Sequence, residues 1–290
     1  MKPPFPSPTP TWHNDVYPTI DPSNPSLSHA GQTVIVTGAG SGIGRETALA
    51  FAASGVKHLV LTGRTQSTIE ETKALLPAKD GLKVSTYAVS VMDIEGMQKI
   101  ASEVGQWDVL VLNAGYISTP APIAKAPLEE YWGNFETNVK GIVIASQAFF
   151  PTANPERAAV MTVTAGAFFL PTKQVVGLSG YLVSKLAQVK MLEFLAAENP
   201  NMFFCNVHPG MIDTKIFRGS GATPDMLPMD TAQLPAHFMV WCSLPEGQFL
   251  NGRTVWANWD VDELKAMKDE VEQKNLFTNT FVGWPFPHMG

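Results

Sequence analysis

Tyr181 and Lys185 stand four positions apart in the run Tyr181-Leu182-Val183-Ser184-Lys185. On a helix that spacing puts both side chains on one face. A free phenol, with a pKa of about 10, is a poor base at neutral pH. A neighbouring ammonium stabilises the phenolate and draws its pKa toward the working range. Such a pair can give a proton to a carbonyl oxygen or take one from an alcohol, which is worth about 10²–10⁴ in rate. A second run, Thr37-Gly38-Ala39-Gly40-Ser41-Gly42-Ile43-Gly44, has the chemistry of a phosphate cradle. Gly38 permits a tight turn, Gly42 lets the backbone approach a phosphate, and Gly44 lets the next helix pack closely on the preceding strand. Amides at that helix start, from Ser41 to Gly44, face a pyrophosphate and supply partial positive charge. The chain thus carries a candidate dinucleotide cradle and a candidate proton-transfer pair.

These residues need a scaffold, and the chain supplies one in a regular rhythm. Short β-branched runs are expected as strands at Thr33–Thr37, Leu59–Thr62, Lys83–Ala88, Asp108–Leu112, Ala159–Val163 and Met202–Val207. Helical patterns lie between them: Ile43–Ser54 closed by Gly55, Ser67–Leu76 stopped by Pro77, one from about Asp93, Leu128–Ala148 and Tyr181–Glu198. Alternation of this kind predicts an α/β fold with six parallel strands in a doubly wound, Rossmann-type sheet. Ligands of such sheets sit at the carboxyl ends of the strands.

Composition narrows the function. Hydrophobic residues make up 45% and charged residues 16%, which excludes a mainly disordered chain. With 20 basic and 26 acidic residues the net charge is −6, so bulk charge recruits neither nucleic acid nor anionic membrane. No apolar run is long enough to span a bilayer, no secretory signal is visible, and Cys205 and Cys242 form no metal or disulfide pattern. A cytoplasmic location is the expectation. Residues 1–30 hold eight of the 23 prolines and form a separate, irregular arm. Residues 31–290 form a single catalytic domain, with a variable segment at about 211–229 as a small C-terminal substrate lid. Met211, Ile216, Phe217, Met226 and Leu227 make that segment apolar, and Gly219 and Gly221 suit it to movement.

The glycine turn has the spacing TGxxxGxG, and four further motifs follow it in order. They are Asn113-Ala114-Gly115, Asn138-Val139-Lys140-Gly141, Tyr181 to Lys185, and Pro209-Gly210 with Thr214. On these motifs the chain resembles the short-chain dehydrogenase/reductase family over Gly31 to Thr214. The segment Trp256 to Leu264 resembles the tail of fungal members, which suggests a biosynthetic pathway of secondary metabolism. The resemblance implies that Lys185 holds the nicotinamide ribose and that Asn138 anchors a water linking Lys185 to solvent. It also implies cofactor contacts from Gly38, Ser41, Gly42, Ile43, Gly44, Ser90, Val91, Asn113, Ala114, Gly115, Pro209, Gly210, Ile212 and Thr214. Association as a homodimer or homotetramer, through the helices at Leu128–Ala148 and Tyr181–Glu198, is implied as well.

Two departures shape the functional expectation. Strand two ends in Thr62-Gly63-Arg64 with no carboxylate, so Arg64 can fork onto a 2′-phosphate and NADP is expected, with NAD as the alternative. Ser41 stands where many NADP-binding relatives carry a basic residue. The family's catalytic serine falls at Ala165, which has no donor. Thr164 is the tentative substitute, although a regular strand would turn it to the opposite face. Ser179 and Ser184 are the other hydroxyls nearby, and Ser184 is expected to be structural. His208 is read as structural, the Asp260-Val261-Asp262-Glu263 run as the first turn of a helix, and no metal is expected. The chain is therefore expected to interconvert a ketone and an alcohol on a hydrophobic small molecule. Phe168, Phe169, Leu170, Val175 and Val176 are candidates to line its pocket. The missing serine motivates a non-redox alternative, an isomerase, dehydratase or cyclase that uses the nucleotide structurally. A nucleotide sensor without catalysis is the third reading.

Overall fold

The computed structural model describes residues 6–78, 81–225 and 228–280. Seven parallel strands form one sheet in the order β3-β2-β1-β4-β5-β6-β7. They are β1 Thr33–Thr37, β2 His58–Gly63, β3 Lys83–Ala88, β4 Val109–Leu112, β5 Ala158–Val163, β6 Met202–His208 and β7 Arg253–Trp256. The first six match the expected strands within a residue. The seventh, Arg253–Trp256, was not anticipated, because its four residues lack an apolar run and begin with arginine. In the sheet it pairs along β6, His208 facing Trp256.

Apart from its edge strands β3 and β7, the sheet is dry on both faces, which is why the inner strands read as nearly continuous apolar runs. One core packs Val34, Val36, Leu61, Val111 and Val207 against helices α1 (Gly42–Ala53) and α8 (Gln233–Cys242), through Phe51, Phe238 and Trp241. The other packs Ile35, Val60, Leu110 and Val160 against α3 (Ile94–Val104), α5 (Gly141–Phe149) and α6 (Ser179–Glu198), through Ile100, Phe149 and Leu192. Each fully buried side chain of this size contributes about 1.5–3 kcal/mol. Strand order reverses between β2 and β4 on either side of β1, so a crevice opens at the carboxyl ends there.

The expected helix Leu128–Ala148 is broken. Helix α4 (Leu128–Phe135) runs into a π-helical turn, Glu136–Lys140, before α5 resumes. Helix α2 (Gln66–Leu75) sits one residue earlier than expected, and α6 starts at Ser179 rather than Tyr181. Asp260 caps α9 (Val261–Ala266) by accepting from the amides of Asp262 and Glu263, as the charge pattern suggested. Cys205 and Cys242 are buried thiols.

From Pro6 onward the proline-rich arm is draped on the body. Among its described residues the regular pieces are short 3₁₀ turns at Pro18–Ile20 and Pro25–Leu27. Ile20 and Leu27 are buried in the core, and Trp12 bridges to Trp259. The amide of His13 donates to Asn258 O at 2.8 Å, and Thr11 donates to both oxygens of the Glu263 carboxylate. Among the described residues no helix is long and apolar enough to cross a membrane.

Candidate active site

The glycine turn joins the end of β1 to α1, and its shape follows from its residues. Gly38 and Gly42 take φ of +66° and +51°, where a side chain is strained. A Cβ on Gly44 would lie 2.3 Å from Gly38 O and 2.4 Å from Asn113 Nδ2, so only glycine fits. Asn113 donates from Nδ2 to Thr37 O at 2.9 Å and to Gly38 O at 3.1 Å, tying the β4 end to the turn. Thr37 completes the tie. Its hydroxyl accepts from the amides of Asn113 and Ala114 at 3.0 and 3.1 Å and donates to Val111 O at 3.2 Å. Arg45 reaches back to donate to Gly40 O at 2.8 Å while paired with Glu71 at 3.0 Å. Neither Thr37 nor Arg45 was singled out from the sequence, since each reads locally as an ordinary strand or helix residue.

Ser41 caps α1 without a side-chain bond, so the first amides of that helix are left to a ligand, and both Ser41 and Gly42 are exposed. The cradle fits a pyrophosphate: close glycines, free amides and no carboxylate among its own residues. Arg64 lies exposed just past β2, and no hydrogen bond or ion pair to another described residue holds it. Beyond β3, Ser90 Oγ accepts from Met92 N, and Val91 packs where a Cβ on Gly141 would stand.

Lys185 is buried and comes to the centre of the site. Its Nζ lies 6.0 Å from the Tyr181 ring centre and 3.7 Å from where a Cβ on Gly115 would project. It donates to Val163 O at 2.7 Å and to Gln188 Oε1 at 2.9 Å. Gln188, one turn further along α6, is a third residue missed from the sequence. Burial pulls the Lys185 amine down to about 7 and pushes the Tyr181 phenol above its ordinary value. The phenol shift runs opposite to the expected one. In the protein alone desolvation outweighs the ammonium, which faces the ring and backbone.

Asn138 sits in the π turn, with its side chain fully engaged. Its Oδ1 accepts from Tyr116 N, and its Nδ2 donates to Tyr116 O and Ser184 Oγ, each at 2.9 Å. The π turn shifts the local backbone pairing, a feature often found at functional sites. Ser184 passes its own proton to Tyr181 O, which is the structural role expected of it.

Ala165 is buried at the end of β5 in extended geometry. Thr164 keeps strand register, its amide donating to Val207 O at 2.9 Å, so the strand end does not swing it. Its hydroxyl faces the α6 layer, buried and without a partner among the described residues. Ser179 also has a buried, unpartnered hydroxyl, yet it lies two residues before Tyr181 and so on a different face of the helix. His208 Nδ1 accepts from Gly166 N at 2.8 Å, which puts the ring proton on Nε2, and burial lowers the histidine to about 3. It is a neutral prop for the β5 end.

After β6, Gly210 turns with φ +89°, Ile212 is buried, and Thr214 caps α7 (Lys215–Gly219) by accepting from Phe217 N. A Cβ on Gly115 would meet Ile216 Cδ1 at 3.3 Å, so this segment folds over the Asn113–Gly115 loop. Met226 and Leu227 lie outside the described residues. Phe169 and Leu170 line a cavity beside β7, whereas Phe168, Val175 and Val176 do not.

A family model described as short chain dehydrogenase matches residues 32–225. The chain is a short-chain dehydrogenase/reductase. It is 33% identical over 276 residues to the short chain dehydrogenase/reductase AacuD of Aspergillus aculeatus, covering 94% of this chain and 95% of that one. A short chain dehydrogenase/reductase of Claviceps purpurea is 33% identical over 275 residues, covering 92% and 91%. Among solved structures, a short chain dehydrogenase of Shigella flexneri complexed with NADP superposes with a TM-score of 0.72 at 19% identity, covering 81% and 99%. Family membership makes the protein an oxidoreductase of the NAD(P)-binding Rossmann type, with fungal relatives along nearly its whole length.

Proposed function

We propose that the protein is an NADP(H)-dependent reductase that interconverts a ketone and an alcohol on a hydrophobic small molecule. The meeting of Lys185 with Tyr181 and the Asn113–Gly115 loop at the mouth of the glycine cradle carries this reading. A nicotinamide held there would supply the hydride chemistry of the reaction. Gly38, Gly42 and Gly44 would hold its pyrophosphate, Arg64 a 2′-phosphate, and Lys185 its ribose. Tyr181, kept protonated by burial, gives its phenolic proton to the carbonyl oxygen, so the carbon gains a hydride and the oxygen a proton. Lys185, with an amine that titrates near neutrality, returns a proton to the phenolate. Asn138, fixed by Tyr116 and Ser184, holds the π turn that keeps this relay in place. The fold is shared with a Shigella dehydrogenase complexed with NADP, in keeping with the proposed cofactor. Exposed Trp132, Val143, Val183 and Phe194 on α4, α5 and α6 support self-association through those helices.

Ala165 favours a second reading, a non-redox isomerase, dehydratase or cyclase that uses the nucleotide structurally. Loss of one oxyanion donor costs about 10²–10³ in rate, which weakens reduction without abolishing it. Purified protein mixed with NADPH and a panel of apolar ketones, followed by absorbance and product mass, separates the two. Tyr181→Phe is expected to lower turnover at least about 10²-fold with NADPH binding retained. Product formed without loss of NADPH would replace the first reading by the second.

A further inference from the structure

The proline-rich arm and the C-terminal segment lie outside the glycine turn and the Tyr181–Lys185 pair, yet they meet. Trp12 from the arm, Trp256 and Trp259 at the end of β7, and Phe277 from the tail line a half-open cavity of about 370 Å³. That volume falls in the range of small-molecule sites, about 300–1,000 Å³. The rings form a connected wall. Trp12 meets Trp256 edge-on at 5.7 Å, Trp256 and Trp259 lie nearly parallel at 6.4 Å, and Trp259 meets Phe277 at 4.9 Å. Among the described residues no charged side chain lines the cavity.

Its polar lining residues are Thr254 on β7 and Thr278 and Asn279 from the tail, and of the three hydroxyl and amide side chains that of Thr254 is the one buried without a partner. Val255 belongs to the core on the α1 and α8 side, so Thr254 faces the other way, into the cavity. The Thr254 amide donates to Phe277 O at 2.9 Å, which pins the tail to β7. Its hydroxyl is buried and has no hydrogen-bond partner among the described residues. A buried hydroxyl left unpaired is costly, and a ligand oxygen at this place removes the cost. Gly166, one residue past Ala165, forms the inner wall, whereas Tyr181 and Lys185 do not line the cavity.

We propose that this cavity is a binding site, distinct from the reaction site, for a neutral planar aromatic molecule bearing a phenolic oxygen. The rings pack against the tryptophans, and the oxygen bonds to the Thr254 hydroxyl. The arm then has a purpose: it contributes a wall that the catalytic sheet lacks. Isothermal titration of the full chain with 1-naphthol, and with naphthalene as the comparator, tests this. Saturable binding is expected, with 1-naphthol roughly 10-fold tighter than naphthalene. Thr254→Val, which keeps the shape and removes the hydroxyl, should erase that advantage and leave naphthalene affinity and NADPH binding unchanged. Val189→Trp, which fills the cavity from α6, should abolish binding of both aromatics with NADPH binding retained. Equal affinity for the two aromatics, an advantage that survives Thr254→Val, or displacement of 1-naphthol by NADPH would overturn the proposal. So would binding that appears only after residues 281–290 are removed, because the chain's own tail would then be the occupant.

Discussion

Arg64 shows how much one side chain can decide. It stands just past the end of β2, exposed, and no neighbouring described residue holds it. A guanidinium so placed is free to fork onto a ribose phosphate, and it cannot accept the hydroxyl bonds that an acidic residue there would accept. A charge-assisted bond of this kind is worth about 1.5–3 kcal/mol, or roughly 10- to 150-fold in affinity. Arg64→Ala is therefore expected to weaken NADPH binding by at least about 10-fold and to leave NADH binding within about two-fold. Fluorescence titration of both nucleotides measures it, and equal losses would refute the phosphate assignment. Ala165 is decisive in the other direction. Thr164 stays in strand register, and its unpartnered hydroxyl faces the layer of α6, the helix that carries Tyr181 and Lys185, one residue before the serine position.

Elements explain what the sequence made legible. Five of the first six strands carry a buried apolar run, and the edge strand Lys83–Ala88, half-buried or exposed, was still found to the residue from its β-forming residues Val84, Thr86 and Tyr87. The motif residues Gly38, Asn113, Asn138, Tyr181 and Lys185 converge as their order implied. Features made by contacts between distant segments stayed hidden. The π turn at Glu136–Lys140 leaves no mark in a helical pattern. Edge strand β7 is too short and mixed to register, and the arm's docking depends on partners more than 200 positions away, such as Glu263 for Thr11. Thr37 is the clearest case, since its single hydroxyl joins the ends of β1 and β4 through three hydrogen bonds. Thr37→Val preserves shape but strands the two amides, at a cost of about 1–3 kcal/mol. The glycine turn should loosen with it, lowering nucleotide affinity about 10-fold, as measured by titration calorimetry beside urea unfolding. Unchanged nucleotide affinity would show that Asn113 alone holds the turn.

The whole molecule couples its stability to pH through groups buried in their neutral forms. His29, fully enclosed between the arm and α8, holds Leu27 O and Ser243 Oγ at 3.0 and 2.8 Å, and burial lowers it from 6.5 to about 4. His208, propping Gly166, is lowered from 6.5 to about 3, and His58, buried beside Lys83 and Lys57, is lowered from 6.5 to about 4. Between those values and 6.5 the unfolded chain binds protons that the folded chain refuses, so stability falls as pH drops below 6.5. Lys185 extends the same slope upward. Lowered from 10.5 to about 7, it is bound to its proton in the unfolded chain and not in the folded one over that interval, so stability goes on rising with pH above 7. At pH 5 each histidine then costs about 2 kcal/mol relative to neutrality, from about 1.4 kcal/mol per pH unit below 6.5. Urea unfolding at pH 7.5 and pH 5 should show a combined loss of about 6 kcal/mol. His29→Gln, which keeps a hydrogen-bonding side chain without a titrating ring, should recover about a third of it. That variant tests the arm directly, because His29 is neutral only while the arm stays docked against Ser243. If the pH 5 loss is the same with and without His29, the histidine is solvated in the folded protein and the arm does not seal the face of α8.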